Sequence, residues 1–150
     1  MEKTSSYTYF FIESRGEITR EGFLANENAK FDPDEITKSL GIEPFKAWKA
    51  DDVRPDGSVY LFSSWAAEKS FIGRVDVESQ CLETIQTLKT KIPQLQRIRE
   101  HYEVNVGIMI VSNIHQHELP QMRFNEEIIQ FCYESGAAIE VDMYSGELEV

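Results

Sequence analysis

Residues 31–44 read FDPDEITKSLGIEP, and this stretch contains residues that favour both the start and the end of a helix. Asp32 is a preferred N-cap residue, Pro33 suits the first helical position, and the two acids that follow suit the positive end of the helix dipole. Gly41 can adopt the left-handed conformation that ends a helix, and Pro44 prevents the helix from continuing. The stretch therefore predicts a short helix that stops at Gly41.

A similar arrangement occurs near the other end of the chain, where residues 124–129 read FNEEII and Gly136 follows. In both places a phenylalanine precedes an Asx cap, acids follow the cap, and the helix ends at a glycine. The chain is therefore compatible with an internal duplication of β-α-β halves. Unrelated helices with good caps also explain the similarity, because these capping patterns are common.

Four segments have the composition or the alternation of β-strands, namely residues 7–12, 58–65, 104–111 and 138–144. On the last of them, Ile139, Val141 and Met143 alternate with polar residues and are predicted to face the helices. Residues 148–150 could add a short edge strand.

Apolar residues recur every three or four positions from residue 77 to residue 102, which predicts a long helix that Pro93 kinks or breaks. Residues 15–30 are predicted to be a loop or a loose hairpin, and residues 45–57 a connection. The order β-α-β-α-β-α-β predicts the α+β class. We expect a single domain over residues 1–150, with a mainly antiparallel four- to five-stranded sheet and helices on one face.

The charge balance limits the classes of partner. The 150 residues include 26 acidic and 15 basic side chains, for a net charge of −11. Nucleic acids and anionic membrane surfaces both require clustered Lys and Arg, so neither is expected as a partner. This charge is compatible with an unidentified protein partner, a small cationic ligand or a second copy of the chain.

Cys81 and Cys132 lie in amphipathic stretches, which favours reduced core thiols over a disulfide framework. No apolar run approaches the length of a membrane span, and the first residues have no features of a signal peptide. The sequence therefore predicts a cytoplasmic protein.

Catalytic chemistry has little support in the sequence. His115 and His117 would share a face of a strand and could share a metal, but structural zinc sites use four ligands and only Glu118 or His101 is a further nearby candidate. A solvated loop is the favoured interpretation, and no metal or cofactor is predicted. The sequence lacks a nucleophile elbow, a phosphate-binding glycine loop and an HExxH helix. The catalytic residues are unassigned, and whether the chain is an enzyme stays open, with a non-catalytic role favoured.

Aromatic residues flanked by acids give the clearest candidate for a binding surface. If Ile139 and its alternating neighbours face the helices, the intervening side chains on the last strand face the other way. The second strand exposes Tyr60, or Trp65 in the opposite register. The candidate surface consists of Trp48, Tyr60, Trp65, Glu140, Asp142 and Tyr144. It suits a peptide, a basic loop or a cationic small molecule, unless the two irregular segments cover it as a second small core.

Several motifs occur in an order that resembles a family of small bacterial proteins known only as a domain of unknown function. In that family a DPDEIT…LGI.P…W stretch follows the first strand and a D.Y stretch closes the last. The matching residues here are 32–37, 40–44, Trp48, Trp65 and 142–144. The resemblance extends from the first strand to Tyr144, with a departure in the long polar segment 15–30. It implies a bacterial, cytoplasmic α+β protein and implies no activity.

The leading hypothesis is a non-catalytic binding module, and one version of it is an immunity-type protein that neutralises a basic toxin. The alternative from another class is a small enzyme or ligand sensor with a pocket near Asp142 and Trp65. A third possibility is a homodimer that pairs sheet edges or helices.

Overall fold

The computed structural model describes residues 3–71, 73 and 75–145. The strands are β1 (Ser5–Ser14), β2 (Gly16–Thr19), β3 (Gly22–Ala25), β4 (Lys46–Trp48), β5 (Ser64–Ala67), β6 (Val104–Ile114) and β7 (Ala138–Ser145). The helices are α1 (Pro33–Leu40), α2 (Val77–Leu88), α3 (Ile92–His101) and α4 (Glu126–Ser135). A mainly antiparallel five-stranded sheet has the order β4-β5-β1-β6-β7, and β2 and β3 form a separate hairpin. The predicted α+β class is confirmed.

The capped helices form where the sequence predicts them. The Asp32 side chain accepts a hydrogen bond from the backbone N–H two residues later, and the Asn125 side chain accepts one from the N–H three residues later. Gly41 and Gly136 end α1 and α4 in the left-handed conformation, with φ values of 67° and 76°. These predictions are correct because capping depends on residues that are close in sequence.

The long helix is interrupted, as expected from Pro93. Helix α2 ends at Leu88 and α3 begins at Ile92, so the proline lies in the first turn of a new helix. A proline is tolerated there because the backbone N–H groups of the first turn have no partner within the helix.

The second predicted strand is wrong in its position. Residues 58–65 were expected to be a strand, but β5 contains only Ser64–Ala67. The residues before β5 pair within their own loop, since Asp51 donates its N–H to the Tyr60 carbonyl at 2.8 Å and Tyr60 donates to the Asp52 carbonyl at 3.0 Å. Strand β4, inside the segment expected to be a connection, pairs antiparallel with β5 and is too short to produce an alternating pattern.

The polar segment 15–30 contains the hairpin that was one of its two predicted structures. Strands β2 and β3 pair antiparallel, with Thr19 opposite Gly22 at the turn. Gly22 has a φ of 116°, which residues other than glycine rarely adopt.

The last strand is less buried than predicted, with Ile139 half-buried. Strand β7 pairs parallel with β6 and is the final strand of the sheet. Val141 is 41% exposed and Met143 is 60% exposed, although both were predicted to face inward. Alternation shows which residues share a face, but it does not show whether anything covers that face of an edge strand. The predicted short edge strand at 148–150 lies outside the described residues.

The chain forms two compact units. The first is drawn from Met1–Phe10, Glu68–Thr90 and Gly107–Val150, and the second from Phe11–Ala67 and Lys91–Val106. In the first unit, α2 packs against α4, and the ring of Phe10 meets that of Phe131 edge-on at 6.0 Å. In the second unit, α1 packs against α3 and β5, and its large fully buried side chains include Phe31, Ile36, Leu40, Trp65 and Leu95. The single domain over residues 1–150 stays a prediction.

Within the described part of the chain, each helix is too short or too polar to span a membrane.

Candidate functional site

Trp48 and Tyr60 form a stacked pair in the second unit. Their ring centroids are 5.2 Å apart and their planes differ by 13°. The Phe62 ring contacts Trp48 edge-on at 5.5 Å, and it contacts Phe23 of the β2–β3 hairpin at the same distance. All four side chains are half-buried, so their rings are packed and still reach the surface. We call Phe23, Trp48, Tyr60 and Phe62 the aromatic cluster.

A cationic side chain of the same chain lies over each ring of the stacked pair. The Lys46 ammonium lies 5.1 Å from the Trp48 ring centroid, and the Arg54 guanidinium lies 4.5 Å from that of Tyr60. Such contacts are attractive because the face of an aromatic ring carries negative charge. A small cationic ligand would have to displace these side chains, so the cluster suits a protein contact better than a cation cage.

Ser63 holds the loop that carries Trp48. Its buried hydroxyl accepts hydrogen bonds from the N–H of Phe31 at 3.1 Å and of Ala50 at 3.0 Å, and it donates to the Phe31 carbonyl at 2.7 Å. Its own N–H donates to the Ser14 hydroxyl at 3.0 Å. One side chain thus joins the entry to α1, the loop after Trp48 and the start of β5. The sequence contains no signal for this role, because a serine beside a strand is ordinary.

Asp51 lies at the turn of the same loop in a left-handed conformation, with a φ of 74°, which is costly for a residue other than glycine. The Lys30 ammonium donates to the Asp51 carboxylate at 3.2 Å and to Glu27 at 2.8 Å. The hydrogen bond with Glu27 is the main cause that raises the pKa of Lys30, so this cation stays protonated. Lys30 and Ser63 together stabilise one conformation of the loop.

Trp65 is a core residue and does not belong to a surface. Its side chain is fully buried in the second unit, and its indole N–H donates to the Thr37 hydroxyl at 3.0 Å. The prediction that placed Trp65 on a binding surface is therefore wrong. The alternative of an enzyme or ligand sensor with a pocket near Asp142 and Trp65 is weakened, because the fully buried Trp65 is not accessible to a ligand.

Glu140, Asp142 and Tyr144 lie on exposed positions of β7, in the first unit. The Tyr144 hydroxyl donates to the Asp142 carboxylate at 2.8 Å, and this hydrogen bond raises the pKa of Tyr144. The structure thus brings Trp48 together with Tyr60, and Asp142 together with Tyr144. The two pairs belong to different units.

A polar groove of about 340 Å³ in the second unit is a weaker candidate. Glu103 beside it accepts hydrogen bonds from the amides of Asn28 at 2.8 Å and Asn26 at 3.3 Å. Arg15 donates to the side chain of Asn105 at 3.0 Å. Because these polar groups already form hydrogen bonds with one another, fewer of them can bind a ligand. The groove is therefore a weaker candidate than the aromatic cluster.

Metal ligands do not converge in the described ranges: no group of three or more His, Cys, Asp or Glu side chains could hold an ion there. His115 and His117 belong to a turn after β6, in which the Glu118 N–H donates to the His115 carbonyl at 3.0 Å.

Both cysteines are free thiols of the first unit, and their reactivity can be predicted. Burial raises the pKa of Cys81 to about 12, and burial also raises the pKa of Cys132. Because the thiolate is the reactive form, almost no Cys81 is nucleophilic at about pH 8. We expect iodoacetamide to label the partly exposed Cys132 first, as followed by mass spectrometry. Labelling of Cys81 in the native protein as fast as in denaturant would contradict its burial.

The model of a family described as Domain of unknown function (DUF4279) matches residues 8–146 of the chain. The predicted resemblance to an uncharacterised domain family is thereby confirmed. No curated protein and no solved structure matches the chain.

Proposed function

We propose that this chain, which belongs to the DUF4279 family, is a non-catalytic module that binds a protein partner through its aromatic cluster. One observation carries the proposal: the stacked Trp48–Tyr60 pair reaches the surface while Phe62 and Arg54 hold it in place. Trp, Tyr and Arg are the residue types that most often dominate the affinity of protein interfaces.

The cluster is organised before any partner binds. Its rings are fixed by stacking and edge contacts, and its loop is fixed by the hydrogen bonds of Ser63 and Lys30. Ordering loops and side chains on binding weakens affinity, so a surface that is already ordered loses less. This arrangement supports a contact surface rather than a lid that closes over a substrate.

The chemistry around the cluster indicates what the partner offers. The surrounding loop carries as many basic as acidic side chains, namely Lys46, Lys49 and Arg54 against Asp51, Asp52 and Asp56. The Trp48 indole N–H is buried and has no acceptor among the described residues. We therefore propose a mainly apolar contact, made through the accessible parts of the aromatic rings and not through this buried N–H group. Affinity gained in this way depends weakly on salt.

Capture of the partner from the source organism provides a test. We expect a Tyr60→Ala variant to retain less than about a tenth of the partner that the unchanged chain retains. Truncation of such an anchor commonly costs about 1–2 kcal/mol of binding energy or more. The readout is quantitative mass spectrometry of the retained proteins.

A Tyr133→Ala variant is the matched control, because Tyr133 is an 88% exposed tyrosine on α4 outside the cluster. It is expected to retain the partner fully. Equal retention by both variants would refute the role of the cluster.

An immunity-type protein that neutralises a basic toxin is the second candidate. The net charge of −11 and the exposed Glu140 and Asp142 support it, because acidic inhibitors attract basic partners at a distance. This version predicts retention that falls steeply with salt, in contrast to the aromatic contact. For either version we propose the cytoplasm as the location, where free thiols are the rule.

A further inference from the structure

Strand β7 is hydrogen-bonded to β6 on one side, and no described strand lies on its other side. Along an edge strand, alternate residues direct their backbone N–H and C=O groups away from the sheet. These groups can receive a further strand, as in peptide recognition by strand addition.

The side chains of β7 define what kind of strand would fit. Glu140 and Asp142 are exposed and lie on one face of the strand. Val141 and Met143 lie on the opposite face and are 41% and 60% exposed. An added strand would therefore place its alternate side chains against an acidic row and an apolar row.

We propose that the outer edge of β7 binds an extended segment of a partner protein in which basic and apolar residues alternate. Basic side chains of that segment would face Glu140 and Asp142, while apolar ones would extend the row of Val141 and Met143. The Tyr144 hydroxyl, 2.8 Å from Asp142, holds that carboxylate in place for such a contact.

Charge argues against a second copy of the chain as the occupant. Two-fold pairing of an edge with itself is antiparallel, and directly opposite residues then share a face. In the longest symmetric registers, centred on Val141 or on Asp142, either Glu140 faces Asp142 of the copy or Asp142 faces itself. Like charges directly opposite destabilise a strand pair, and charged residues on edges are a common protection against self-association.

This proposal concerns a different surface from the aromatic cluster, so either can fail without the other. The probe is a synthetic peptide as long as β7, in which lysine and valine alternate and both ends are blocked. Binding is measured by calorimetry and mapped by NMR on the full chain. We expect the backbone amide signals of β7 to shift, and we expect the Tyr60→Ala variant to bind the peptide unchanged.

The decisive variant replaces both exposed acids, Glu140→Lys with Asp142→Lys, and should raise the Kd for the peptide at least about tenfold. A control with the same change in net charge, Glu17→Lys with Glu21→Lys, alters exposed positions on the hairpin and should raise it much less. Two further peptides carry N-methyl groups on one or the other alternating set of backbone amides, and the peptide methylated on the amides that face β7 should not bind, because strand addition needs those N–H groups.

The proposal is overturned if the peptide does not bind, or if the two lysine variants weaken binding equally. Equal binding of both N-methylated peptides and of the unmodified peptide would show that no strand is added. Sedimentation of the unchanged chain as a dimer that the β7 variant dissociates would assign the edge to a second copy instead.

Discussion

Replacing Trp65 by alanine is expected to lower the free energy of unfolding by about 3–5 kcal/mol, the usual cost of removing a large buried aromatic side chain. Trp65 is fully buried, and its indole N–H donates to the Thr37 hydroxyl at 3.0 Å. The substitution removes the packing of the ring and leaves a cavity that its neighbours cannot fill completely. The measurement is denaturant unfolding followed by circular dichroism.

A Trp65→Phe variant separates packing from the hydrogen bond. It keeps an aromatic ring in the core but removes the N–H that Thr37 accepts, so a smaller loss of about 1–2 kcal/mol is expected. If the free energy of unfolding of Trp65→Ala instead lies within about 1 kcal/mol of that of the unchanged protein, Trp65 is not buried as described. Loss of partner binding in a stably folded Trp65→Phe protein would restore its predicted role on a surface.

Replacing Ser63 by alanine is expected to lower the free energy of unfolding by about 2–4 kcal/mol. The change removes the acceptor of two backbone N–H groups, those of Phe31 and Ala50, and the donor to the Phe31 carbonyl. A buried polar group left without a partner costs about 1–3 kcal/mol, and relaxation of the loop reduces the sum. Because Ala50 follows Trp48 closely, near-ultraviolet circular dichroism of the aromatic cluster should weaken as well.

Ser112→Ala is the control for Ser63→Ala, because Ser112 is also fully buried but its hydroxyl has no hydrogen-bond partner within the described ranges. Removing an unsatisfied hydroxyl is expected to leave stability unchanged or to raise it by up to about 1 kcal/mol. Equal losses in the two variants would show that burial of the serine, and not its hydrogen bonds, determines the effect.

Local features of the fold are predictable from the sequence, whereas strand positions depend on distant partners. Asp32 and Gly41 define α1 because both act on backbone within a few residues. The aromatic residues before β5 have the composition of a strand, but Tyr60 pairs with the loop at Asp51 and Asp52. That choice depends on the complete fold, which no local pattern contains.

The candidate site divides in the same way. Trp48 and Tyr60 can be proposed from the sequence because Trp and Tyr combine a large apolar ring with a polar group, which is typical of contact surfaces. Ser63 is not, because its importance lies in the three hydrogen bonds of its hydroxyl to segments that are distant in sequence. Trp65 misleads the prediction because tryptophan is common both in cores and in binding surfaces.

The most direct test of the central proposal is the affinity of the captured partner for the unchanged chain and for a Trp48→Ala variant, measured at low and at high salt. We expect the Kd to rise at least about 30-fold in the variant, since loss of a central anchor costs about 2 kcal/mol or more, and to change little with salt. An equal Kd for both proteins would contradict binding through the aromatic cluster.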